Sequence, residues 1–462
     1  MTPAHRVPVD SADAAWLRMD RAENRMVIVA VMTFDAPMSR EDLVRLLHER
    51  IEPFHRFRCR VRRSGGRLEW EIDPSFNVAR HVTTHELPRG SGETELQAHV
   101  GDLMNLALPE DRPPWHFEVI PHYLDGSALV ARLHHGMADG IALVRVLLSL
   151  ADGGEKFSQP LAAEPDDRGL LEFAGTAVRG VVEVAGAIVE ESVALVMKPD
   201  RAFLRARQGL GIAAALGKFA LIPPDSPTPF KAPLSTTKRV AWSRAARLAE
   251  VKKVARRLGG TVNDVLLTAL AGGLRRFLAT RGPVAADCEI RAMVPVNLRL
   301  PDEPLTLGNR FGLVLLTLPV GMADQRQRFA EVRTRMDRLK RSMEPAVAFG
   351  ILQTIGSSPQ FVQDQVVRSL SSAASAVMTN VPGPRKPLHF AGRRLEEIMF
   401  WVPRAGSIGL GISIISYVDD ILLGFAVDAS HVSDPHELVE AYEAEWHALS
   451  AASKTKPTGA RQ

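Results

Sequence analysis

Apolar runs of strand length alternate with amphipathic helical segments on both sides of residues 161–235, and inside that stretch the alternation stops. A chain patterned in this way folds as two mixed α/β lobes joined by a connector, because each set of strands needs its own covering helices and its own core. The length agrees, since 462 residues exceed what one hydrophobic core ordinarily holds together. We expect an N-terminal lobe over residues 1–160, a largely helical connector over 161–235 and a C-terminal lobe over 236–462.

In the first lobe MVIVAVMTF, from Met26, reads as a buried strand, and Ser39-x-x-Asp42 opens a helix with a capping box. Residues 56–62, RFRCRVR, alternate strictly, with Phe57, Cys59 and Val61 on one face and four arginines on the other. That pattern suits a half-exposed strand or, less simply, a face that docks phosphates or anionic lipid. SALVARLHH reads as a strand running into His134 and His135, and IALVRVLLSL after Gly140 reads as a helix. In the second lobe a strand at KRVAWS precedes a helix over 243–258, a Gly259-Gly260 turn and a helix capped by Thr261. Further strands are predicted in IRAMVPVNLRL, FGLVLLTLPV, SAVMTNVP, GLGISIISYV and ILLGFAVD, with helices near 323–343 and 435–451.

The charge balance excludes one large class of partner. Lysine and arginine number 57 against 53 acidic residues, too small a surplus for the dense basic field that nucleic acid requires. The two cysteines, Cys59 and Cys288, stand in no metal or redox spacing, which fits a reducing cytoplasm. The opening MTPAHRVPVDSADAAW lacks the order of a signal peptide, and no run of about 20 apolar residues is free of charge, so a soluble or peripheral protein is expected. Lys198, Arg201, Arg205, Arg207 and Lys218 lie beside apolar helical faces of the connector. Those faces suit either a lipid surface, such as the inner membrane or a lipid inclusion, or packing against the lobes.

The chemistry concentrates in His134-His135-Gly136-Met137-Ala138-Asp139-Gly140, at a strand-to-helix turn. On extended backbone the two histidines point to opposite faces, so one enters a cleft while the other supports it. A neutral imidazole within reach of an alcohol accepts its proton as the oxygen attacks a thioester carbonyl. Backbone N–H groups at the following helix start suit a developing negative charge. Asp139 reads either as the cap of that helix or as the partner of a buried arginine. Zinc on His134, His135 and Asp139 is disfavoured, because adjacent strand residues diverge. Gly-x-Ser-x-Gly and P-loop patterns are missing from the sequence, and the glycines of GLGIAAALG lie in a helical pattern, which is wrong for a dinucleotide site.

With these residues in view, the chain resembles the bacterial wax ester synthase and acyl-CoA:diacylglycerol acyltransferase family, within the CoA-dependent acyltransferases that include chloramphenicol acetyltransferase and peptide-synthetase condensation domains. The likeness rests on VDSADAAWLRMD, Pro113-Pro114-Trp115, HHGMADG, TVNDV, PVNLR at 295–299, GNRFG at 308–312 and TNVPGP at 379–384, and spans nearly the whole chain. It implies an α/β (α+β) fold of two chloramphenicol-acetyltransferase-like lobes with mostly antiparallel or mixed sheets, meeting at an active-site channel. It implies His135 as general base with His134 beside it, and Asn263 as a polar group near the acyl carbonyl. Asp139, with Gly140, becomes structural, with Arg299 as the partner of Asp139, and Trp115, Gly136, Thr379 and Asn380 fall on the substrate side. Where the family often has Pro-Leu-Trp followed by six residues and then a glycine, this chain has Pro114 and His122, which bears on substrate preference. The implied reaction passes a long-chain acyl group from acyl-CoA, a substrate, to a fatty alcohol or diacylglycerol, with no cofactor, metal or covalent intermediate. A condensation-type enzyme fed by carrier-protein thioesters and an inactive lipid-surface protein are the rival readings.

Overall fold

The computed structural model describes residues 6–153, 223–297, 307, 309, 311–340 and 360–454. The first half runs through β1 (Arg6–Pro8), α1 (Ser11–Met19), β2 (Val27–Phe34), α2 (Arg40–Arg50), β3 (Cys59–Ser64), β4 (Arg67–Ile72) and β5 (Val82–Thr84). It continues with α3 (Glu93–Asn105), β6 (Trp115–Tyr123), β7 (Gly126–His134) and α4 (Gly140–Ser149). The second half opens with β8 (Lys238–Arg247), α5 (Leu248–Leu258), α6 (Val262–Ala279), β9 (Ile290–Asn297) and β10 (Phe311–Leu318). After α7 (Gln325–Lys340) and α8 (Gln360–Ala373) come β11 (Ala376–Pro382), β12 (His389–Phe390), β13 (Arg393–Trp401), β14 (Leu410–Tyr417), β15 (Asp420–Asp428) and α9 (His436–Ala452).

Two six-stranded sheets result, ordered β12-β13-β2-β7-β6-β5 and β10-β9-β11-β14-β15-β8, beside a small sheet β1-β4-β3. Most pairings are antiparallel, while β5 runs parallel to β6, and β11 parallel to both β9 and β14. Each large sheet has its own apolar core, as the length of the chain requires. Central strand β7 is buried along all nine residues, which its unbroken GSALVARLH run foreshadows.

Local signals act where the sequence places them. Ser39 Oγ accepts the Asp42 N–H at 3.1 Å while the Asp42 carboxylate accepts the Ser39 N–H, closing a capping box on α2. Thr261 and Asp264 do the same for α6, and α5 stops at Gly259, whose φ of +75° is the left-handed conformation that glycine tolerates.

Three expectations change. The helix predicted from 243 begins at Leu248, because β8 stays paired with β15 as far as Arg247 opposite Asp420. Residues 55–58 form a 3-10 turn, so the strand of RFRCRVR begins only at Cys59. Three of its four arginines are occupied, Arg60 and Arg62 on the buried Glu71 and Arg56 on Asp13, which supports the plain strand reading. The boundary at 236 is also not a clean division. β13 leaves the second half and pairs antiparallel with β2, Ile398 opposite Met32, so residues 389–401 complete the first sheet.

The lipid-surface reading of residues 198–218 falls outside the described residues, as does most of the connector. Among the described residues, no helix is long and apolar enough to cross a membrane.

Candidate active site

β7 delivers the histidine pair to the junction of the two halves. It ends at His134, α4 starts at Gly140, and the five residues between make a buried turn. His135 lines a cavity of about 360 Å³ whose wall draws on α1, β9, β10, α8, β11 and the residues around β13. Most of that wall is apolar, including Trp16, Met293, Phe311, Leu370 and Phe400.

The His135 ring is gripped by aromatic side chains, with Trp16 tilted against it at 4.1 Å between centroids and Phe311 edge-on at 5.7 Å. The backbone N–H of His135 donates to Met26 O at 2.7 Å, and the ring makes no part of that bond. Burial pushes its pKa down to about 4 against an upward pull from Asp139, so the imidazole is neutral near pH 7 and competent as a base. Nδ1 is buried and has no hydrogen-bond partner among the described residues.

His134 does not line the cavity. Its Nδ1 accepts the Gly136 N–H at 3.0 Å, which ties the ring to the turn, and burial lowers its pKa to about 4 as well. Gly136 does not line the cavity. A side chain there would put Cβ 2.7 Å from Leu17 Cγ and 3.1 Å from His134 Nδ1, so it serves the close packing of the turn. Asp139 is the N-cap of α4, its Oδ1 accepting the Ala142 N–H at 2.9 Å, as the capping alternative requires. Its proposed partner Arg299 lies outside the described residues. Asp139 and Gly140 both reach the cavity wall.

Across the cavity stand Thr379 and Asn380 of β11. Thr379 is buried with its hydroxyl 2.8 Å from Ser413 Oγ. Asn380 Nδ2 donates to Asn263 Oδ1 at 3.2 Å, which puts Asn263 behind the wall, exposed at the start of α6 and one hydrogen bond removed from the cavity. Trp115 is corrected outright. It is fully buried, stacks on His81 at 4.1 Å and donates its indole N–H to Phe57 O at 2.8 Å, so it belongs to the core of the first half and does not line the cavity.

Chemical reading of single residues missed one buried cluster. Asp13 of α1, 1% exposed, accepts Arg56 Nη1 at 2.9 Å, the Asn309 N–H at 3.1 Å and Asn309 Nδ2 at 2.8 Å. Asn309 Nδ2 donates also to His135 O at 2.9 Å, and Arg56 Nη1 lies 3.4 Å from Met137 O. Asn309 from the second half and, through Arg56, Asp13 from the first thus hold the backbone of the histidine turn. Both stand in resemblance-bearing stretches, VDSADAAW and GNRFG, and those stretches were the only signal for them.

Fold and site together define a two-lobed acyltransferase with a histidine at an inter-lobe cavity. Residues 9–266 match the wax ester synthase/diacylglycerol acyltransferase catalytic domain and residues 307–450 the WS/DGAT C-terminal domain; the chain belongs to that family. A Mycobacterium tuberculosis protein named as a probable diacylglycerol O-acyltransferase is 29% identical over 464 residues, covering 97% of each chain. Among solved structures, the wax ester synthase/diacylglycerol acyltransferase of Marinobacter aquaeolei aligns over 97% of this chain and 100% of its own, with a TM-score of 0.68 at 17% identity. The first condensation domain of the CDA synthetase aligns over 98% of both chains with a TM-score of 0.60 at 16% identity, a likeness of fold alone.

Proposed function

We propose that the protein moves a long-chain acyl group from acyl-CoA to the hydroxyl of a fatty alcohol or diacylglycerol, with His135 as general base. The observation that carries this reading is a neutral, buried imidazole facing an apolar cavity between the lobes. The acceptor hydroxyl gives its proton to His135 as its oxygen bonds to the thioester carbonyl carbon. The C–S bond then breaks, and the imidazolium returns the proton to the departing thiolate. The scheme forms no covalent intermediate on the enzyme and uses no cofactor.

Purified protein given palmitoyl-CoA with hexadecanol or diacylglycerol should release CoA and form the ester in equal amounts. CoA release independent of both acceptors contradicts the proposal. Replacing palmitoyl-CoA by palmitoyl carrier protein separates this donor from the condensation-type alternative. We place the enzyme in the cytoplasm, peripheral to the inner membrane or to lipid inclusions where such acceptors reside. The support is the basic residues of 198–218 beside the apolar segments of the connector, and flotation with anionic vesicles tests it.

A further inference from the structure

Away from the cavity, three metal-ligating side chains converge at the edge of the first sheet. His85 follows β5, His99 lies on α3 and Glu118 on β6; one ligand atom from each lies within 4.8 Å of the other two, and all three residues are half-buried. Among the described residues no other such group of three occurs. The fold brings them together by register. β5 runs parallel to β6 with Thr84 opposite Val119, and the His85 N–H donates to Val119 O at 3.0 Å, which sets His85 beside Glu118. Strand alternation turns Phe117 and Val119 into the core and Glu118 to the other face, where α3 lays His99 against it.

The contact between His99 and Glu118 accounts for only part of this arrangement. His99 Nε2 contacts Glu118 Oε1, but that leaves the His85 ring, stacked on His99 at 3.7 Å between centroids and 10° between planes. Each ring offers a nitrogen that serves as a metal donor. The glutamate is also oriented as a ligand would be, its Oε2 accepting the Thr83 hydroxyl at 3.1 Å.

We propose that His85, His99 and Glu118 bind one divalent transition ion, zinc above all, at a site separate from the catalytic cavity. Two imidazole nitrogens and one carboxylate oxygen, with a fourth position open, are a recurrent zinc donor set. Metal–ligand distances of about 2.0–2.2 Å require the present donors to draw closer. Parallel rings cannot both aim in-plane lone pairs at one ion, so His85, which lies beyond the strand, turns about its Cβ–Cγ bond when the ion enters.

The site has a structural consequence. α3 bridges the halves, with Gln97 Nε2 donating to Trp242 O at 2.9 Å and Asn105 Oδ1 accepting the Lys238 N–H at 2.7 Å. An ion shared by α3, β6 and the His85 segment pins that bridge to the first sheet.

The test uses the full chain without an affinity tag, stripped with EDTA. Zinc titrated by calorimetry should bind with one equivalent and raise the melting temperature by several degrees, and cobalt(II) should give a visible absorption band. His85→Ala, which leaves the His99 contact with Glu118 intact, should weaken zinc binding at least tenfold and remove the cobalt band. His122→Ala should change neither. Failure of the parent to bind, or binding undiminished in a His85→Ala/His99→Ala variant that melts cooperatively, overturns the proposal.

Discussion

Burial around His135 has a direct kinetic signature. Its pKa of about 4 means that the base is already deprotonated at pH 5, whereas a solvated histidine is half protonated near about 6.5. The acid limb of kcat/KM against pH should therefore fall near 4, with a plateau from 5 upward; a limb at 6.5 would mean an imidazole open to water. Asn309 makes a second residue-level prediction. Removing its amide frees the His135 carbonyl and leaves the buried Asp13 carboxylate short of one bond, a loss of about 1–3 kcal/mol. If that loss is felt in positioning the ring, Asn309→Ala lowers kcat about 10- to 100-fold with little change in KM. An equal rise in KM would place Asn309 in substrate binding instead. The histidines were legible because a strand must send neighbouring side chains to opposite faces. Asp13 and Asn309 were not, since a carboxylate and an amide 296 positions apart carry no spacing rule. Trp115 was misread because a proline followed by an aromatic suits a packed turn as well as a substrate contact.

At the scale of elements, the caps were the most legible part of the chain. The Thr261 and Asp264 box closes α6, whose first turn carries Asn263 toward Asn380. Thr261→Ala should cost about 1 kcal/mol in urea unfolding; no measurable loss would mean that packing of α6 alone sets its start. β13 shows where local reading stops. In RRLEEIMFW the buried positions are Leu395 and then a continuous run from Ile398 to Trp401, with no alternation to announce a strand. Its strand character comes from β2, across more than 350 residues of chain, and no local pattern encodes that partner. The helix start at 243 failed for the same reason, because pairing with Asp420 holds Arg247 extended.

For the molecule as a whole, the second half is tied together by a buried polar cluster whose charge depends on pH. Asp428, fully buried, contacts Lys238 and accepts bonds from Ser235 and Ser430. Burial alone would raise its pKa, but the bonds from Lys238, Ser430 and Ser235 outweigh that and hold it well below the usual carboxylate range. A depressed folded pKa means stability that is fully present above the unfolded value of about 3.9 and lost as pH falls below it. The urea midpoint of the parent should therefore fall more steeply between pH 5 and pH 3 than that of Asp428→Asn; equal slopes would show that Asp428 is not ionised in the fold. Two lobes were readable from length and pattern, whereas the exchange of residues 389–401 into the first sheet was not, since it is a property of chain connectivity in space.

The central claim, that His135 at the lobe junction is the base for acyl transfer, is tested most directly by the rate of CoA release from palmitoyl-CoA in His135→Ala at pH 7.5. The account predicts a loss of about 10²- to 10⁴-fold with an unchanged melting temperature. A rate within tenfold of the parent would contradict it.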